Sequence, residues 1–176
     1  MSGERRFTER SHSGGIDEIT LPSGPGRLWI CGKHIVGPDP DAALAHVGAA
    51  AVVCLCEAHE LEHRYPHYAR WLHRHREGRA LWWPVPDLHA PALDDAVTMT
   101  AIITRRLADD VPLVMHCGAG VGRAGTMAVC VLMTLGLGAP EALERVGSQR
   151  PMAGPEAGAQ RDLVAALGHR LRAAQR

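Results

Sequence analysis

The stretch Val114-Met115-His116-Cys117-Gly118-Ala119-Gly120-Val121-Gly122-Arg123-Ala124-Gly125-Thr126 limits the folds open to this chain more than any other. Pro112 to Met115 is a short apolar run suited to a buried strand, and Ala124 to Leu137 is an apolar stretch long enough for a buried helix. Glycines at 118, 120 and 122 interrupt the loop between them. Glycine accepts backbone angles and close approaches that other residues resist, so successive N–H groups of such a loop can point into one concavity. The start of the helix adds unpaired N–H donors and the positive end of its dipole. Arg123 adds a planar fork able to hold two oxygens of one anion. An oxyanion fits such a loop, which makes Gly118, Ala119, Gly120, Val121 and Gly122 candidate substrate-binding residues.

Cys117 stands at the mouth of this loop. Thiols beside cationic groups at a helix N-terminus ionise readily, and the thiolate is the nucleophilic form. Attack on phosphorus would leave charge on oxygens that Arg123 and the loop amides are placed to hold. His116 is the adjacent group that orients and tunes the thiol. A leaving oxygen also needs a proton, and Asp87, at the bend of Pro84-Val85-Pro86-Asp87-Leu88-His89-Ala90-Pro91, is the candidate acid. Prolines restrict that loop. Asp94 and Asp95 are its rivals, but they fall where the helix from about Asp94 to Asp109 wants an N-cap.

His-Cys-x5-Arg, with a strand before it and Ala-Gly-Thr leading into an apolar helix, resembles the signature of the cysteine-dependent protein tyrosine phosphatases, in particular the compact dual-specificity branch. The likeness runs from about Leu28 to Ala166. Pro86-Asp87 falls thirty residues before Cys117, as the layout of that family requires of its acid. The resemblance implies a metal-independent phosphomonoester hydrolase, of protein tyrosine or dual-specificity type, that works through a cysteinyl-phosphate. Cys117 would be the nucleophile, Arg123 the phosphate clamp and Asp87 the acid and then the base. It also implies a Gln on the helix after Arg150-Pro151 that places water for the second step. Gln160 is the counterpart, with Gln149 and Glu156 as competitors. One departure stands out: where the family carries Ser or Thr after the signature Arg, this chain has Ala124. That motivates the alternative of a phospho-residue binding pseudophosphatase with little turnover.

The remaining sequence points to an α/β domain with a central, mostly parallel sheet of four or five strands flanked by helices, in the three-layer manner of that family. Arg27 to Gly32 reads as a strand, Asp39 to Val47 as a helix ended by Gly48, and Ala50 to Cys56 as a central strand apolar on both faces. Trp71 and Leu72 anchor a further helix, whose arginines at 70, 74 and 76 read as a solvated face. Residues 140–147 and 155–173 read as the last two helices. Residues 1–26 are polar and punctuated by Ser, Gly and Pro, and are expected to be a flexible leader to a single catalytic domain at 27–176.

His59-Glu60-Leu61-Glu62-His63 matches a zinc-protease pattern, but Pro66 closes it and no apolar helical face surrounds it. It is expected to be a polar loop or short helix at the rim, and neither metal nor cofactor is expected. The five cysteines lack the spacing of a disulfide framework, which suits a reducing compartment. Cys54 or Cys56 could protect Cys117 as a disulfide under oxidation. Net charge is formally zero, so no nucleic-acid partner is expected. No run reaches about eighteen apolar residues and no signal-peptide core opens the chain, so the expectation is a cytoplasmic protein without a membrane partner. Lys33 as the only lysine and abundant Ala fit a high-GC bacterial genome. Loop residues 118–122 carry no Lys or Arg, so the expected partner is a phosphorylated protein or peptide, phosphotyrosine modestly favoured, rather than a polyphosphorylated lipid. Oligomeric state is left open.

Overall fold

A computed structural model describes Phe7 and residues 14–174 of the chain. Its strands are β1 (Ile16–Ile19), β2 (Leu28–Gly32), β3 (Ala51–Cys54), β4 (Ala80–Trp82) and β5 (Leu113–Cys117). They form one sheet in the order β1-β2-β5-β3-β4, in which only β1 runs antiparallel to its neighbour. This is the mostly parallel α/β sheet expected above. β5, which carries His116 and Cys117, lies between β2 and β3.

The alternation of side chains across a strand separates two apolar layers. Leu28, Ile30, Val53, Leu113, Met115 and Cys117 face one layer, whereas Trp29, Cys31, Val52, Cys54 and Val114 face the other. The first is covered by α5 (Leu93–Ala108), α6 (Gly122–Thr134), α7 (Ala139–Gln149) and α8 (Gly158–Ala174). The second is covered by α1 (Lys33–Val36), α2 (Pro40–Val47), α3 (Ala58–Glu62) and α4 (Pro66–His75). Strands buried on both faces explain the unbroken apolar runs in β2, β3 and β5. α6 is buried from Gly122 to Met133, which accounts for a helix apolar on every side. α2 begins on Asp39, whose carboxylate accepts from the Ala42 N–H at 2.9 Å, and ends on Gly48 at φ 68°.

Three sequence readings need correction. Residues 16–19, placed in the flexible leader, form β1, and Phe7 is buried, stacked on His46 at 4.4 Å. Ile19 fills the core while Arg150, from the far end of the chain, holds Asp17, a long-range tie that a four-residue strand does not advertise. The other residues of 1–13 lie outside the described ones. Asp94 and Asp95 do not cap α5, which starts from Ala92; they lie in its first turn, where the dipole favours them, and Asp94 accepts from Arg170 at 2.8 Å. α8 begins at Gly158 rather than Pro155, because Gln160 Oε1 turns back to take the Glu156 N–H.

α4 tests the layering. Leu72 is fully buried and Arg74 exposed on the same helix. Leu72→Ala is expected to lower unfolding free energy by about 2–5 kcal/mol in urea titrations, whereas Arg74→Glu should stay within about 0.5 kcal/mol of wild type.

Candidate active site

The loop after β5 is held by its carbonyl groups. Gly118 O accepts from the Lys33 N–H at 3.1 Å, and Val121 O from the Gly125 and Gly154 N–H groups at 3.0 and 3.2 Å. Arg150 donates to Ala119 O through Nη2 at 2.9 Å and to Gly120 O through Nε at 2.7 Å. All these peptides are trans, so a carbonyl turned outward sends the following N–H inward. The amides of Ala119, Gly120 and Val121 meet no acceptor among the described residues and form, with the start of α6, a donor-lined concavity. Gly120 sits at φ 73°, and a Cβ there would overlap the carbonyl of Cys31. Only glycine lets the loop lie this close to β2.

Arg123, in the first turn of α6, is nearly buried at 3% side-chain exposure. Glu60 of α3 grips it with both oxygens, Oε2 on Nη1 at 2.7 Å and Oε1 on Nη2 at 2.8 Å. The second Nη1 proton goes to Val85 O at 2.8 Å, and Asp87 Oδ1 lies 3.2 Å from Nη2. Nε–H is left buried without a partner among the described residues. A buried donor without an acceptor costs free energy, and the guanidinium that carries it lies against the loop: a Cβ on Gly118 would come within 3.2 Å of Arg123 Nη2. Burial is the largest single influence on Arg123 and works against its charged form, but the Glu60 hydrogen bond together with the neighbouring Cys117, Glu60 and Cys56 groups outweighs it and keeps the guanidinium firmly protonated. Glu60 is opposed by burial too, yet the Arg123 hydrogen bond, the Glu57 backbone and the Arg123 and Lys33 charges hold its carboxyl below the ordinary 4.5. Lys33 Nζ also donates to Glu60 O at 3.1 Å, which fixes α3 against the loop.

Asp87 projects from the loop after β4 with its side chain 73% exposed. Trp83 and Val85 tie that loop to the β3 end through Cys54 O and Leu55 O, at 2.9 and 3.0 Å, and Leu88 turns it at φ 60°. Gln160 is buried rather than open to substrate: Oε1 accepts from Glu156 N and from Thr126 Oγ1, and Nε2 donates to His89 O at 3.2 Å. It therefore braces the Asp87 loop against α8. The hydroxyl of Thr126 is spent on this contact at 3.3 Å, and Ala124 beside Arg123 is packed in the core. His116 turns to the opposite face of the sheet from Cys117, where its Nε2 meets the Tyr68 hydroxyl at 2.6 Å. His59 and His63 are exposed at the rim, as a short helix and its cap.

The structure brings together Cys117, the loop amides, Arg123 and Asp87. Sequence reasoning missed Glu60, Arg150 and Tyr68. Glu60 lay inside the His-Glu-x-x-His stretch, and Arg150 was read only as part of a turn; nothing local marks either as a partner of the loop.

Residues 25–166 match the family model described as Swiss Army Knife protein, DSP-PTPase phosphatase domain. The chain belongs to that family. Among solved structures, this DSP-PTPase domain is 26% identical to Tk-PTP in its active form, with a TM-score of 0.68 over 88% of this chain and 97% of that one. It shares its fold with kinase associated phosphatase carrying serine for its catalytic cysteine (18% identity, TM-score 0.72, 90% and 96% covered). It shares it also with a single-residue variant of human DUSP28 (20% identity, TM-score 0.69, 90% and 97% covered). The chain matches no curated protein sequence. Among the described residues, no helix is long and apolar enough to cross a membrane.

Glu60→Gln removes the charge that balances Arg123, so it should cost about 3 kcal/mol of stability at neutral pH. The folded-state carboxyl is depressed, so its contribution is present above the unfolded value near 4.5 and is lost as pH falls through the folded one. The gap between wild type and variant in thermal melts should therefore narrow progressively below that pH.

Proposed function

We propose that this protein hydrolyses phosphomonoesters on protein side chains through a cysteinyl-phosphate. The observation that carries the proposal is the loop itself: amides turned inward, closed by a guanidinium with an unpartnered Nε–H, beside the thiol of Cys117. A phosphate seated there takes the loop N–H groups and Arg123 Nε–H, and competes with Asp87 for Nη2. Asp87 is then released toward the leaving group.

In the first step the Cys117 thiolate attacks phosphorus. The S–P bond forms as the ester P–O bond breaks, and protonated Asp87 gives its proton to the departing oxygen. In the second, water attacks phosphorus, Asp87 takes its proton, and the S–P bond breaks to return the thiolate and inorganic phosphate. The loop amides and Arg123 bear the transition-state charge in both steps without reorganising. His116, tied to Tyr68, fixes the end of β5 from which the thiol projects. Gln160 acts in this reading through the Asp87 loop. The charge-neutral loop suits a phosphoprotein or phosphopeptide better than a polyphosphorylated lipid, with phosphotyrosine modestly favoured.

With a small aryl phosphate, Cys117→Ser should abolish turnover and Asp87→Ala should reduce kcat by about 10²–10⁴-fold. Normal turnover by Cys117→Ser would overturn the mechanism. Ala124 leaves the departing sulfur of the second step without a hydroxyl, so a pre-steady-state burst is expected from wild type. Ala124→Ser should raise the steady-state rate by about tenfold, the value of one hydrogen bond to a charged group. Tight phosphopeptide binding with no turnover by either protein would instead favour the pseudophosphatase reading that Ala124 motivates.

A further inference from the structure

Behind the loop, on the face of the sheet opposite Cys117, three soft donors converge. Cys54 ends β3, and Cys56 follows two residues later, the spacing that puts both side chains on one side of an extended chain. His116 is paired in register with Cys54 across β3 and β5. One donor atom from each of Cys54, Cys56 and His116 lies within 4.8 Å of the others, and all three residues are buried. No carboxylate belongs to the group. Two thiols and an imidazole select thiophilic cations over magnesium or calcium, which want oxygen.

The dimensions agree with coordination. Metal–sulfur bonds of about 2.3 Å and metal–nitrogen bonds of about 2.0 Å place donors roughly 3.5–3.8 Å apart, so the three need draw in by about an ångström. Small side-chain rotations supply that. The charge agrees too: two thiols that release their protons to solvent leave a neutral complex with zinc, and release of one proton leaves a neutral complex with cuprous copper, as the apolar layer that includes Leu61, Leu72 and Val114 requires. The Tyr68 hydroxyl, 2.6 Å from His116 Nε2, is the oxygen within reach of a fourth position.

We propose that Cys54, Cys56 and His116 form a regulatory site for a closed-shell thiophilic cation, zinc or cuprous copper, which draws His116 out of its contact with Tyr68 and so disables the adjacent nucleophile loop. The ion takes no part in hydrolysis. Three-coordinate binding suits cuprous copper, and addition of the Tyr68 oxygen suits zinc. The binding site itself does not rest on the phosphatase reading, whereas its regulatory effect does.

The test uses the full chain with Cys117→Ser, so that the loop thiol cannot serve as a ligand. It is titrated with Zn(II) and, anaerobically, with Cu(I), each against a chromophoric competitor for that ion. A single equivalent of at least one ion is expected, with X-ray absorption showing two sulfurs and one nitrogen around it. Adding Cys54→Ser or Cys56→Ser should weaken binding by more than about tenfold. In wild type, the same ion should inhibit turnover and a chelator should restore it. The absorption spectrum needs no further variant, so it decides the matter even if those substitutions unfold the protein. Absence of binding, a shell without two sulfurs, or binding that requires Cys117 would overturn the site. Inactivity of metal-free wild type would overturn the phosphatase reading and leave the site standing.

Discussion

The structure depends on one constraint: four consecutive carbonyls after Cys117 must face outward for the intervening amides to face inward. Isolated loops do not hold such a conformation. Here Arg150 takes two of the carbonyls, the amide of Lys33 takes another, and the Gly125 and Gly154 amides take the last. Arg150 is buried and ties the same loop to β1 through Asp17 at 2.6 Å, so the edge strand and the loop are parts of one network. Charge-assisted bonds of this kind are about twice as strong as neutral ones. Gly120 completes the arrangement by pressing the loop against Cys31 without a side chain.

The second dependency is electrostatic. A guanidinium taken out of water is costly unless its protons are matched. Glu60 and Val85 O match most of them, Asp87 matches one at the exposed edge, and Nε is left over. The exposed Asp87 contact is the weak one, since ion pairs open to solvent contribute about 0–1 kcal/mol. In the proposed function it is therefore the contact that an incoming dianion would displace, while the Glu60 grip stays. Elsewhere, burial pushes the Cys130 thiol up to about 12, and burial likewise raises Cys31. They are core, not reagents.

Much of this was legible in the sequence because it is local. The strand, glycine loop, arginine and apolar helix are contiguous, and unbroken apolar runs mark strands covered on both faces. Asp87 was marked by its prolines. What was not legible is the set of ties between distant positions. Glu60 meets Arg123 across sixty-three residues, whereas its own stretch reads only as a polar loop or short helix at the rim. Arg150 meets residues 14 to 17 across the whole chain. Gln160, expected to place water, has its amide engaged by Thr126, Glu156 and His89 while its Oε1 stays within 3.2 Å of where a Cβ on Gly122 would sit, ties that no local pattern announces. β1 escaped notice because four residues with two isoleucines carry no period, and its pairing comes from β2.

The central claim is that these groups build a seat for a tetrahedral oxyanion directly over the Cys117 sulfur. A crystal structure with tungstate bound tests it most directly. The account predicts tungstate oxygens on the amides of the 118–123 loop and on Arg123 Nε, with the sulfur facing the tungsten and Asp87 moved off Nη2. Tungstate bound elsewhere, or the loop flipped so that its carbonyls point inward with the thiol turned away, would contradict it.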